Sequence, residues 1–534
     1  MVFNLGLIKE RGTIMRVTNK MIMNNAASNI NSTKEIVNQR NTQMTTQKKI
    51  DKPSDDPVIA VRSLRLSTTL SQVTQYYQKN IPDASSWIEV TETSLLNIRD
   101  LITDCKTLAD KGANGSLNQE DRNTIITQLE SLQKAVFKEG NADYANRTVF
   151  TGYRTNSDLV FTKNETDTEY QITQTLSIEK NMEEHRYYNG ITKVPTTKTE
   201  VAAVTNINDM AQTNYYRVRL NYDDVLSRDN FVVTDAAGNE ITVDITDFAN
   251  ETEWADYEVA DGANPGEFLK KQGEKTVPDD SIYFIRETGD IILGKNIAAQ
   301  LKAADAKIDI TYTKKGFAEG ELRPEYYYNC TKTADPLDVN VPVEYKKFTP
   351  DGETIHYDIQ YTVAAGQTIN INTEASDVFN SDVLRDITEM LDAVKNARNA
   401  HNKLDEIKKM KDESQYANED DQAYLKQWED ALKKEADYFD DNLKKLFSTE
   451  IGKTAKYCDK ISLSITDLGC KKDSLDLTKI RVGDQRQTVQ GLQSTNDDVD
   501  LSQIIIDYTA AYTAYQASLT AAGKLGDSTL LNYL

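Results

Sequence analysis

Each end of this 534-residue chain reads as a helix with one narrow apolar stripe, and that constrains the fold more than any other feature. Residues 17–50 contain no proline or glycine. Along them Met23, Ala26, Ile30, Thr33, Val37 and Met44 recur at steps of three and four on an Asn-, Gln- and Thr-rich background. Near the other end Leu501, Ile505, Tyr508, Tyr512, Tyr515, Leu519 and Ala522 keep the same alternation. A stripe this narrow is the seam of a coiled coil rather than the broad face of a globular helix. It buries too little to hold a helix by itself, so each end needs a partner. If the two ends pair, the chain leaves and returns along one axis, and each segment further inward is a deeper insertion.

The first helix is interrupted by KPSDDP. Pro53 is expected to end it, and Ser54 or Asp55 to cap a second helix with Pro57 in its first turn. Asp55 and Asp56 are adjacent, so on a helix they would point about 100° apart. That is poor geometry for a shared metal or an acid–base pair, and helix capping explains them better. The next stripe is Leu66, Leu70, Val73, Tyr77, Asn80, Ala84 and Trp87, continuing after a shift of register through Leu95, Ile98, Ile102 and Cys105. Pro82 lies within it and is expected to kink the helix or mark its start. KGANGS at 111–116 reads as a turn, and Leu117–Phe137 as a third helix.

From about residue 156 the period changes to two. Tyr216, Val218, Leu220 and Tyr222 alternate with polar residues. Phe231–Thr234, a turn at Gly238–Asn239, and Ile241, Val243 and Ile245 read as a hairpin. Ile308, Ile310 and Tyr312 alternate, as do Ile355, Tyr357, Ile359, Tyr361 and Val363 ahead of Ile369 and Ile371. Residues 156–374 are therefore expected to form a β-rich unit, or two small ones. Helical period returns near 380 with Val383, Ile387, Leu391 and Val394. Residues 396–447 read as a charge-dense, solvated helix, and 461–496 as a further helical stretch.

Composition narrows the function. The net charge of −22 disfavours nucleic acid and anionic membranes as partners. The three histidines, His185, His356 and His401, lie in unrelated contexts, which removes most metal-ligand and triad arrangements. Cys105, Cys330, Cys458 and Cys470 form no CxxC. Cys105 reads as a small buried hydrophobe, while pairing of Cys458 with Cys470 stays open. No run of about 18 apolar residues spans a membrane, and no secretory h-region is evident. Phosphate-binding glycine loops, HExxH, GxSxG and a calcium loop are all missing. The expectation is a non-enzyme without metal or cofactor.

Several stretches then resemble the flagellin superfamily and, within it, its hook-associated, junction-type members. They are MRVTNKM at Met15, IDKPSDDPVIAVRSL at 50–64, QYYQKNIPDASSWIEVTETSLLNIRDL at 75–101 and NRTVFTGYRT at 146–155. IQYTVAAGQTININTEASDVF at 359–379, DVDLSQIIIDYTAAYTAYQASL and the final STLLNYL belong with them. The SDDP break and the FTGYRT corner resemble the junction type more than filament flagellins, which usually read RINSAKDDAAG at the break. Two departures stand out: residues 1–14 precede the family's usual start, and Pro82 falls where the family usually runs an unbroken helix.

The resemblance implies an elongated, multi-domain α+β protein with a helical-bundle stalk and an inserted β-rich domain. Its expected parts are a disordered extension at 1–14 and terminal assembly helices at 15–55 with 497–534. A helical stalk at 56–155 with 375–496 and an outer β domain at 156–374 complete it. It implies a structural subunit between hook and filament, exported unfolded without a cleaved signal. Its partners would be further copies of itself, a neighbouring hook-associated protein, flagellin and a cytoplasmic export chaperone. The assembly interface would comprise Met23, Ile30, Val37, Met44, Leu501, Ile505, Tyr508, Tyr512, Tyr515, Leu519, Leu530 and Leu531. Pro53, Ser54, Asp55, Asp56 and Pro57 would form the helix break. Two alternatives stay open: a flagellin-type filament subunit, and a stalked adhesin or carbohydrate-binding protein.

Overall fold

The computed structural model describes residues 19–114, 117–189, 193–207, 211–262, 267–336, 340–350 and 352–527. The fold is α+β, with long helices towards both ends of the chain and two five-stranded sheets between them. In chain order the long helices are α1 (Asn19–Thr46), α2 (Pro57–Gln75), α3 (Ile81–Asn114), α4 (Gln119–Gly140), α5 (Asp382–Asp412), α6 (Glu419–Asp497) and α7 (Leu501–Asp527). The described residues divide into two compact units. One holds those up to Pro82, Thr362–Gln367 and those from Leu475 onward; the other holds Asp83–Tyr361 and Thr368–Ser474.

In the first unit, α1 ends at Thr46, ahead of the proline expected to stop it. Gln47 there takes a left-handed conformation, φ 59°. The chain then pairs with the segment before α7: the Lys49 N–H donates to the Asp497 carbonyl at 2.7 Å, and the Val499 N–H to the Gln47 carbonyl at 3.1 Å. α1 and α7 pack against one another beyond this bridge. Pro82 does not break its helix. A single π turn, Tyr76–Asn80, precedes it, with the Ile81 N–H donating to the Tyr76 carbonyl five residues back. The widened turn takes up the missing donor and the ring, and the helix continues into α3.

The expected gap between 447 and 461 is filled: α6 is one helix of 79 residues. Its buried positions recur every seventh residue at Phe447, Thr454, Ile461, Leu468, Leu475, Val482, Val489 and Asn496, the repeat of a coiled-coil seam. The charge-dense segment is wet on one side only. Leu404, Ile407, Tyr416, Leu425, Trp428 and Leu432 form a core cluster with Val201, and the Trp428 indole donates to the Val201 carbonyl at 2.9 Å.

In the second unit the strands of the two five-stranded sheets are β1 (Glu165–Ser177), β2 (Met182–Asn189), β3 (Ala211–Arg219), β4 (Val225–Thr234), β5 (Ile245–Phe248), β6 (Ile282–Ile285), β7 (Asp290–Leu293), β8 (Lys307–Phe317), β9 (Asn329–Ala334) and β10 (Val343–Tyr345). One sheet has the order β2-β3-β7-β6-β5, the other β10-β9-β1-β8-β4. The central β6 and β7 are buried along their whole length. β1 and β8 alternate, burying Tyr170, Ile172, Leu176, Ile308, Ile310 and Tyr312. The hairpin expected at 231–245 forms only at its tip, where the Ile241 N–H donates to the Val233 carbonyl. The returning strand then leaves for the other sheet and pairs in parallel with β6, Ile245 opposite Ile282. There Phe248 joins Tyr187, Trp254 and Tyr283 in an aromatic core. Burial in that core outweighs local pairing at a sheet edge.

Candidate assembly surface

The break between α1 and α2 is built by two aspartates with separate tasks. Asp55 closes the turn: its carboxylate accepts the backbone N–H groups of Asp51 at 3.0 Å and Lys52 at 2.9 Å. Donation from Lys52 and Asp51 holds its pKa below the ordinary value. The cap of α2 is neither Ser54 nor Asp55 but Asp56. Its Oδ1 accepts from Val58 N at 2.9 Å and Ile59 N at 3.1 Å, with Pro57 first in the helix. Pro53 and Ser54 form the exposed turn between them. The same device recurs at α7, where Asp500 accepts from the N–H groups of Ser502 at 2.8 Å and Gln503 at 3.2 Å.

Around the bridge the Lys48 ammonium meets Asp498 at 2.5 Å. That hydrogen bond raises the lysine pKa and lowers the aspartate's. Ser63 donates to Asp497 at 2.9 Å, and the Asn496 amide to the Ile59 carbonyl at 3.1 Å. The segment between α6 and α7 is thus tied to the start of α2 through short polar side chains and to the end of α1 through the bridge.

The terminal stripes are divided by the fold. On α7 the sheltered positions are Ile504, Asp507, Tyr508, Ala511, Tyr515, Ser518 and Ala522. Ile504 is 4% exposed, whereas Leu501, Ile505, Ile506, Tyr512 and Leu519 all lie open, Ile505 at 53%. The expected single stripe is therefore two: Tyr508 and Tyr515 are half-buried, while Leu501, Ile505, Tyr512 and Leu519 lie on open surface. The Tyr508 and Tyr512 rings stack across the boundary, centroids 6.1 Å apart.

α1 is divided in the same way. Ile22, Ala26, Ile30, Thr33, Val37, Arg40 and Met44 are sheltered, whereas Met21, Met23 and Ile36 are exposed. Leu530 and Leu531, and residues 1–14, lie outside the described residues. Sequence reasoning missed Ile22, Ile504, Ile506, Ile36 and Asp500. The run Ile504-Ile505-Ile506 held the signal, because three successive helical residues cannot share one stripe.

All four cysteines are free, so Cys458 and Cys470 are unpaired. Burial pushes the Cys105 thiol up to about 12. In the second unit, His356 lies near Glu374 and Asp377, at 3.7 and 3.5 Å, but Lys347 already pairs with Glu374. A buried ionic network joins β3 to α5 and α6. Arg217 meets Glu183 at 2.7 Å and also Glu389; Arg219 meets Asp386 and Glu389, each at 2.5 Å. Burial alone would raise Glu389, and Arg217 and Arg219 more than offset that, holding it well below its usual range. Burial, with Arg217 beside it, lowers His185 to about 4. Among the described residues no helix is long and apolar enough to cross a membrane.

Residues 17–155 match the bacterial flagellin N-terminal helical region. Among curated proteins the chain is similar to flagellar hook-associated protein 3 of Salmonella typhimurium, 27% identical over 142 residues, which are 26% of this chain and 44% of the relative. It is also similar to flagellar hook-associated protein 3 of Escherichia coli, 29% identical over 114 residues, 21% of this chain and 36% of the relative. The matched region spans less than half the length of either relative. Solved structures found by similarity include the FlgL of Xanthomonas campestris, at a TM-score of 0.31 and 12% identity, covering 80% of this chain and 99% of that one. The flagellar junction protein FlgL of Legionella pneumophila gives 0.26 and 11%, covering 78% and 99%.

Proposed function

We propose that this chain, of the flagellin family by its residues 17–155, is a structural subunit of the bacterial flagellum, placed at the junction of hook and filament. The observation that carries the reading is the open apolar face of a terminal helix pair in a chain whose matched relatives are hook-associated protein 3. No catalysis or cofactor is assigned.

The mechanism follows from the divided stripes. α1 and α7 use one stripe on each other and present Leu501, Ile505, Ile506, Tyr512 and Leu519 outward. Covering a fully exposed side chain of this kind is worth about 1.5–3 kcal/mol. These five are only about half exposed, so covering them gives a gross gain on the order of 5 kcal/mol, near the low end of the cost of immobilising a partner. Two faces of one subunit that meet different neighbours make a head-to-tail contact, suited to a ring or helical layer rather than a closed dimer. The neighbours would be further copies, an adjacent hook-associated protein and flagellin. A two-helix pair with so narrow a seam is marginal alone, so its ordering would accompany assembly. This suits export in an unfolded state, with a chaperone covering the stripes in the cytoplasm.

Imaging a labelled copy on the flagellum tests the placement. Label confined to the point where hook meets filament is expected, and label along the filament would overturn the junction reading in favour of a filament subunit.

A further inference from the structure

We propose that the second unit binds one divalent transition-metal ion of the zinc class at its surface, through His356, Glu374 and Asp377. Among the described residues this is the one group of three such side chains whose donor atoms converge, all within 4.8 Å of one another.

The His356 Nδ1 lies 3.7 Å from Glu374 Oε2 and 3.5 Å from Asp377 Oδ2. Both separations are too long for hydrogen bonds. They lie close to the spacing of about 3.3 Å between neighbouring ligands of a tetrahedral zinc ion, which follows from metal–ligand bonds of about 2.0–2.1 Å. His356 and Asp377 are half exposed, so small side-chain movements suffice to close the site on an ion. An imidazole nitrogen beside two carboxylates suits zinc and its transition-metal neighbours, whereas calcium and magnesium take oxygen ligands.

The backbone holds the three residues in place. The Ile355 N–H donates to the Lys347 carbonyl at 2.8 Å, just ahead of His356, and the Asp377 N–H donates to the Glu374 carbonyl at 3.0 Å. The Glu374 carboxylate fits against Gly152, where a Cβ would stand 3.1 Å from Oε1. Lys347 pairs with the same Oε2 that approaches His356. A carboxylate oxygen offers two lone-pair sites, so the ammonium orients this oxygen and leaves the second site to the ion, as hydrogen-bonded carboxylates do around metals. The remaining coordination position falls to water.

Titration calorimetry of the untagged full chain with zinc chloride, against magnesium chloride, tests the assignment. One zinc ion should bind, at least about tenfold tighter than magnesium. His356→Ala and Asp377→Asn should each weaken zinc at least about tenfold. Both positions are half exposed, so the metal-free melting temperatures should match the parent and separate a lost ligand from lost folding. Cys458→Ser/Cys470→Ser removes the two cysteines that are not buried and should leave the affinity unchanged. No zinc binding up to about 1 mM would overturn the proposal. So would zinc affinity that survives both His356→Ala and Asp377→Asn, or that is lost with the two cysteines instead.

Discussion

Ile504 and Ile505 are consecutive residues of one helix with opposite surroundings: Ile504 is 4% exposed and Ile505 53%. Substitutions at the two should therefore act on different properties. Ile504→Ala removes buried volume from the terminal helix pair and should cost about 2 kcal/mol, the low end for such a truncation in a narrow seam. Ile505→Asp should leave the monomer's stability within about 0.5 kcal/mol, yet block incorporation. Thermal unfolding checks the first and the yield of labelled subunit in purified flagella the second. Normal incorporation of Ile505→Asp would remove the open face from the assembly surface.

The two Asp caps are predicted to be equivalent. Asp56→Ala and Asp500→Ala each leave two helix-terminal N–H groups without their acceptor, at about 1 kcal/mol each. Hydrogen exchange should rise at residues 58–60 in one variant and 502–504 in the other. Ser54→Ala should change neither, because Ser54 caps nothing.

How much of this was legible depended on who occupies the repeating positions. The terminal stripes could be read because their apolar residues keep a 3–4 spacing, but the spacing could not tell which of Ile504, Ile505 and Ile506 faces α1. The continuity of α6 was hidden because Glu450 and Thr454 sit at buried positions and interrupt the hydrophobic pattern. The cap was displaced by one residue because Ser54, Asp55 and Asp56 share the same capping chemistry. The departure of β5 to the second sheet, and the meeting of Arg217, Arg219, Glu389 and Asp386, depend on tertiary contacts that no local pattern encodes.

The contribution of Glu450 to stability should fall with rising pH through the neutral range. Its side chain is fully buried and no aligned hydrogen bond reaches either oxygen. Lys453 lies 2.9 Å away. Burial first, then the nearby Asp386, raises its pKa from 4.5 to about 8. The folded state therefore holds a proton that the unfolded chain releases above 4.5. The contribution is fully present below that value and is lost as pH rises towards 8. Glu389 has the opposite sign: its depressed pKa withdraws stability only as the solution turns acidic. Glu450→Gln should flatten the decline between pH 5 and about 8 in chemical-denaturation curves, and an unchanged slope would locate the linkage elsewhere.

Gly112 should tolerate no side chain. A Cβ there would lie 1.9 Å from the Phe447 ring, which is itself fully buried. Gly112→Ala gains helix propensity worth about 1 kcal/mol, but the displaced ring costs about 1–3 kcal/mol or more. Overpacking should win, giving a net loss in thermal unfolding. The paired change Gly112→Ala with Phe447→Leu should recover part of it.

Removing residues 500–534 separates the terminal pair from the rest of the chain most severely. α7 packs against α1, so its deletion strips α1 of the surface that shelters Ile22, Ile30 and Val37. α1 should then fray, which circular dichroism would register as a helical loss exceeding the 27 residues of α7. The second unit has its own aromatic core and ionic network and should keep its melting transition. Incorporation into flagella should vanish. The single substitution Tyr512→Asp, on the open face, should reproduce that loss with little change in helicity. A charge reversal at Glu429, paired to Lys411 within the second unit at 2.5 Å, should leave incorporation intact. Equal effects of Tyr512→Asp and the Glu429 change would mean that assembly does not run through the terminal helices.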